Sequence, residues 1–218
     1  MHTTIEQGIK FEDLSDSAKD TAMQHYAVHD DYHEPVYEDY TEDGKARGFH
    51  IDSIRYSGFW SQGDGASWVG YVVMKDFIAY HIKDEHPLYA LSVVLIDLLD
   101  EGWVERTARV ARSSSWYCHS NTMDVDTAFA SWGIFDDVCA LNDGPLAGAR
   151  VAPLISLLEE ETNFINDLLE LVQDKAREYA DAIYEALEEE YESYFEPDNF
   201  KELADANDWL FDENGQLV

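Results

Sequence analysis

Residues 49–74 read FHIDSIRYSGFWSQGDGASWVGYVVM. FHIDSIRYSGF alternates apolar and polar side chains with the period of a half-buried strand. WSQGDG supplies turn residues, and Asp64-Gly65 is a hairpin signal. ASWVGYVVM then reads as the returning strand. The stretch predicts a β-hairpin closed by a tight turn. Gly63 and Gly65 are expected to supply positive φ there, with Trp60 and Trp68 packed around them. Should the loop bind something, Trp60, Gln62 and Asp64 are its exposed contacts.

Working outward, residues 76–100 read as helical with a break near Pro87. WVERTARVAR (103–112) alternates again, Ser113-Ser114-Ser115 turns the chain, and WYCHSNTMDV returns. Region 49–125 thus holds two hairpins and an intervening helix. Two hairpins make an antiparallel sheet of about four strands with helices on one face. Upstream, residues 11–29 form an N-terminal helix with Ser15 as N-cap and Asp16 in the first turn. Residues 30–47, broken by Pro35, read as a connector or a loosely formed second helical turn. Downstream, NDGPLAGAR is a loop within 127–150. A long helix spans about 153–195 and is ended by Pro197. Residues 198–218 follow as a short helix and an Asn-Gly hairpin. The expected fold is α+β, a single domain over 1–218.

The long helix carries the anomaly. Leu158, Ile165, Leu168, Val172, Ala176, Tyr179, Ile183, Leu187 and Tyr191 follow helical spacing, so one face packs against a core. Asp167, Glu170, Asp174, Glu178, Asp181, Glu185, Glu188 and Glu192 step by three and four residues, a continuous stripe along one face. From 167 to 192 the stripe runs about 37 Å at ~1.5 Å per residue. That is one carboxylate per ~5 Å, against one phosphate per ~3.4 Å of axis on a DNA strand. Glu159, Glu160, Glu161, Glu189 and Glu190 thicken it. Between residues 155 and 195 only Lys175 and Arg177 answer these acids. Like charges four apart oppose a helix by ~0.2–0.5 kcal/mol per pair, so the stripe is held against a local penalty. A merely solvated face is the plain alternative.

The whole chain shares this bias. It has 218 residues, 46 acidic against 14 basic, a net charge of −32, and 45% hydrophobic residues, enough for a buried core. Such a field repels nucleic acid and anionic membranes and attracts basic protein surfaces, within a range set by salt. Adaptation to high salt is a second plain explanation, consistent with only seven lysines. Cys118 and Cys139 lack metal-ligand spacing and read as small buried hydrophobes in a reducing cytoplasm. MHTTIEQGIKFEDL has no apolar signal core.

Chemistry-bearing motifs are sparse. His25, His29 and His33 are spaced by four, and on one continuous helix face they would suit zinc. GxSxG, GxxxxGK[ST] and HExxH are absent, so no catalytic residue and no cofactor is implied. Arg106, Arg109 and Arg112 on the third strand are too few for a nucleic-acid face and suit internal ion pairs.

Three stretches together resemble a group of small acidic tailed-bacteriophage proteins. FEDLSDSAKDTAMQHY resembles their helix start, SGFWSQGDGASWVG their glycine-rich hairpin, and YEALEEEYESY with DWLFDENGQL their acidic helix and C-terminal hairpin. The resemblance implies a phage-encoded protein in a bacterial cytoplasm, with no family activity to carry over. Charge and that origin lead to the expectation of a non-enzymatic DNA mimic. It would occupy a basic DNA-binding surface of a host defence protein of the restriction or CRISPR kind. A metal site at His25, His29 and His33, or an assembly protein pairing through the long helix, are the rival expectations.

Overall fold

The computed structural model describes residues 8–29, 31–100, 107–112, 118–126 and 164–218. In chain order the elements are α1 (Asp16–Tyr26), α2 (Glu34–Ala46), β1 (Phe49–Tyr56), β2 (Ala66–Val73), α3 (Met74–His81), α4 (Tyr89–Asp100), β3 (Thr107–Arg112), β4 (Met123–Asp126), α5 (Phe164–Ser193) and α6 (Pro197–Ala206). Among the described residues four strands form one antiparallel sheet in the order β1-β2-β3-β4. The protein is α+β, with the two hairpins and the long C-terminal helix that the sequence led us to expect. The start of that helix at 153–163, Trp103 to Arg106, the Ser113–Ser115 turn, the 127–150 loop and Cys139 lie outside the described residues.

The chain divides into two compact units, 1–36 with 185–218, and 37–184. The larger unit is built on the sheet. In β1 and β2, Phe49 faces Val72 and Ile54 faces Trp68, and the register shifts between Ile51 and Ser53. The extra residue restores the alternation after Asp52, so that Phe49 and Ile54 are both buried despite their odd separation. Val110 of β3 and Met123 and Val125 of β4 continue the buried face. Phe49 is the aromatic hub. Its ring lies 5.4 Å from Trp68, 5.8 Å from Phe77 of α3 and 5.2 Å from Tyr179 of α5. Helices α3 and α5 therefore pack on the same side of the sheet.

The smaller unit gathers Phe11, Leu14, Ala18, Ala22, Ala27, Phe200, Ala204 and Phe211 into a core. Phe11 meets Phe200 edge to face at 4.7 Å. Ser15 caps α1 as expected, accepting from the Ala18 amide at 3.3 Å. The helix is shorter than 11–29, however. Phe11–Asp13 is a separate 3-10 turn and α1 stops at Tyr26. Phe211 bridges Ile9 on one side and Leu217 on the other, the reduced form of the expected C-terminal hairpin.

Two proline readings need correcting. Residues 34–46 are a full helix, where a connector or a loosely formed helical turn was expected. Pro35 sits in its first turn, where the missing N–H has no helical partner to lose and the fixed φ suits a helix. Pro197 likewise opens α6, and α5 has already ended at Ser193.

Candidate functional site: the acidic face of helix α5

Helix α5 is amphipathic for a simple reason. Phe164, Leu168, Leu169, Val172, Ala176, Tyr179, Ala180, Ile183 and Leu187 are all buried. At 3.6 residues per turn they fall on one side of the helix. The eight stripe carboxylates fall within about 80° of arc centred on the opposite side. In the larger unit Asp167, Glu170, Asp174, Glu178 and Asp181 are exposed. In the smaller unit Glu185 and Glu192 are exposed and Glu188 is partly covered. Glu159 to Glu161 lie outside the described residues.

The two expected counter-charges behave differently. Lys175 pairs with Glu178, a surface contact worth ~0–1 kcal/mol. Arg177 turns away from the stripe and donates to the Met123 carbonyl at 3.1 Å. It thereby ties α5 to β4 and leaves the carboxylates beyond Glu178 unanswered on their own helix.

Local structure beneath this face is held by a cluster that periodicity does not reveal. The Tyr179 hydroxyl donates to the Tyr40 carbonyl at 2.7 Å and lies 3.0 Å from Asp43 Oδ2. Arg47 pairs with Asp43 at 2.7 Å and stands over the rings of Tyr80 and Tyr179, 5.3 Å from each. Burial, and next the Asp43 carboxylate, push the Tyr179 phenol well above its ordinary range. Tyr179 occupies an apolar-spaced position, which concealed its polar role. Asp43 and Arg47, four apart across the C-terminal end of α2, were the available signal. Nearby, the half-buried His81 is pushed down to about 4 by desolvation and then by the Lys175 charge.

The loop between β1 and β2 is not the tight turn expected. Tyr56 pairs with Ala66, and the intervening residues 57–65 form a folded excursion closed by Ser57 N–H donating to Gly65 O at 3.1 Å. Asp64 Oδ2 accepts from the amides of Trp60 (2.8 Å) and Ser61 (2.6 Å). A carboxylate taking backbone N–H groups builds its own turn, so Asp64 is spent inside the loop and is not a free contact. Gly63 has φ +103° as expected, whereas Gly65 does not. Gly65 is instead confined by approach, since a Cβ there would lie 3.1 Å from the Cys118 carbonyl. The two tryptophans part company: Trp68 is 0% exposed and Trp60 80%. Gln62 is exposed.

The histidines do not form one face. His25 is exposed on α1, but the helix ends one residue later, leaving His29 in the linker and His33 in the turn before α2. His29 lies 6.1 Å from the Trp209 ring. Among the described residues no group of three His, Cys, Asp or Glu side chains could hold a metal ion. Arg109 stands opposite Tyr71 and Asp126, and Arg112 opposite Met123, in the sheet register. Cys118 is a buried free thiol. No helix among the described residues is long and apolar enough to cross a membrane.

The fold and this face define a strongly acidic α+β protein whose long helix turns one side to the core and the other, lined with carboxylates, to solvent. Residues 32–196 match DUF8835, a domain of unknown function, and the chain belongs to that family. No curated protein matches the chain. No solved structure matches it either.

Proposed function

We propose that this chain is a non-enzymatic, acidic binding protein that imitates DNA and occupies the DNA-binding surface of a host protein. The observation that carries the reading is the stripe: carboxylates opposite the buried face of α5, all but Glu188 exposed, and of them Glu178 alone ion-paired among the described residues. Within the larger unit, helical spacing sets Asp167, Glu170, Asp174, Glu178 and Asp181 at intervals of the order of backbone phosphates, so a surface built for phosphates finds its counter-charges there. The net charge of −32 adds long-range attraction, which speeds association with a basic partner. The three stretches that resemble tailed-bacteriophage proteins favour a phage gene acting in bacterial cytoplasm. A restriction or CRISPR protein is then the natural target.

A pull-down from bacterial lysate tests the reading. Tagged protein is eluted with a salt gradient, and a parallel lane contains competitor DNA. Nucleic-acid-binding proteins that leave at moderate salt and are displaced by DNA support it. Partners indifferent to both salt and DNA, or no partner at all, overturn it.

A further inference from the structure

The Trp60 loop lies beside the acidic face, and its construction is that of a presented side chain. Phe59 stacks on Tyr56 at 5.6 Å and meets Tyr184 of α5 at 5.5 Å. Tyr184 stands three residues after Asp181, at the edge of the stripe. The next residue after this anchored ring is Trp60, with its amide fixed by Asp64 and its side chain 80% exposed. The backbone is thus pinned on both sides of an indole that faces solvent. An exposed tryptophan on an ordered backbone offers a large apolar contact at little entropic cost, the profile of an interface hot spot. Its negative π-face favours cations, guanidinium above all. Phosphates and anionic lipids are repelled by the protein's charge.

We propose that Trp60 is the aromatic anchor of a docking surface that takes an arginine-bearing segment of a protein partner, the guanidinium lying over the indole. The inference rests on the stripe reading only for the sign of the partner. Trp60 contributes what a row of carboxylates lacks, a preference for arginine over lysine.

The test is binding of fluorescently labelled nona-arginine and nona-lysine peptides to the full chain, followed by anisotropy. The native protein is expected to bind the arginine peptide about threefold more tightly, the scale of an exposed cation–π contact. Trp60→Ala makes the two affinities equal, and Asp64→Ala, which frees the loop, shifts the ratio the same way. Reversal of Asp174 and Asp181 to lysine weakens both peptides together and preserves the ratio. If reversal changes neither affinity while Trp60→Ala still equalises them, the stripe reading fails and the Trp60 assignment stands. If the ratio survives Trp60→Ala, or neither peptide binds, the assignment is wrong. It is equally wrong if neutral phosphatidylcholine vesicles capture the native protein but not Trp60→Ala, because the occupant is then a lipid surface.

Discussion

The indole N–H of Trp68 donates to the Ala176 carbonyl at 3.1 Å, from the middle of β2 to the middle of α5, with both residues buried. The bond fixes the helix on the sheet at the level where the outer face carries Asp174 and Glu178. Trp68→Phe removes the donor and part of the ring, and is expected to cost about 2 kcal/mol. Trp68→Ala should cost ~3–5 kcal/mol. Urea midpoints compared with native protein check both values.

The stripe can be reversed without harming the fold. Asp174 has Glu170 and Glu178 four residues to either side, and Asp174→Lys turns two repulsions into attractions. Each such pair is worth ~0.2–0.5 kcal/mol, so the variant should be as stable as the native protein or more so. A thermal midpoint that falls by several degrees would contradict this and place a structural duty on Asp174.

His81 makes stability depend on pH. Its folded value is lowered from 6.5 to about 4, while the unfolded chain keeps the ordinary value. On acidification the unfolded state takes up the proton first. Stability is therefore complete above the unfolded value and is lost as pH falls from 6.5 towards 4. The Nε2 atom is buried without a hydrogen-bond partner among the described residues, and the backbone hydrogen bond at Arg47 that favours the charged form is outweighed by desolvation and the Lys175 charge. Between neutral and mildly acid pH the urea midpoint of the native protein should fall relative to that of His81→Leu. Parallel curves would sink the argument.

Gly215 is confined in the smaller unit by backbone sign and by space. Its φ is +83°, and a Cβ would lie 2.1 Å from the Ala18 carbonyl of α1. Gly215→Ala should destabilise by more than ~2 kcal/mol, because neither backbone can yield cheaply. Loss of protease resistance in the C-terminal segment is the readout.

Periodicity was a sound guide wherever one rule governed a long segment. The buried face of α5 and its acidic opposite could be read from spacing, since a helix of this length averages out local exceptions. The hairpins were legible from alternation, although the bulge at Asp52 was not, because one inserted residue leaves both flanking patterns intact. What failed were inferences from single residues. Pro35 and Pro197 act as helix openers, and the chain around each decides whether a proline starts or stops a helix. The His25, His29 and His33 spacing held in sequence, but α1 ends at Tyr26. Trp60 and Trp68 are alike in composition and opposite in fate, since one follows an anchored loop ring and the other occupies the inner face of a strand.

The Asp212–Gly215 turn also governs how the chain ages. Asn-Gly is the sequence most prone to deamidation, in which the glycine nitrogen attacks the asparagine side chain. Here the Gly215 amide donates to the Asp212 carbonyl at 3.1 Å, and Asp212 Oδ1 accepts from the Asn214 amide at 2.8 Å. The nucleophile is occupied and the ring closure opposed, so Asn214 is protected while this unit stays folded. Slow conversion of Asn214 to isoaspartate and aspartate, with loss of ammonia, then serves as a chemical clock for how long a given molecule has spent with that turn undone.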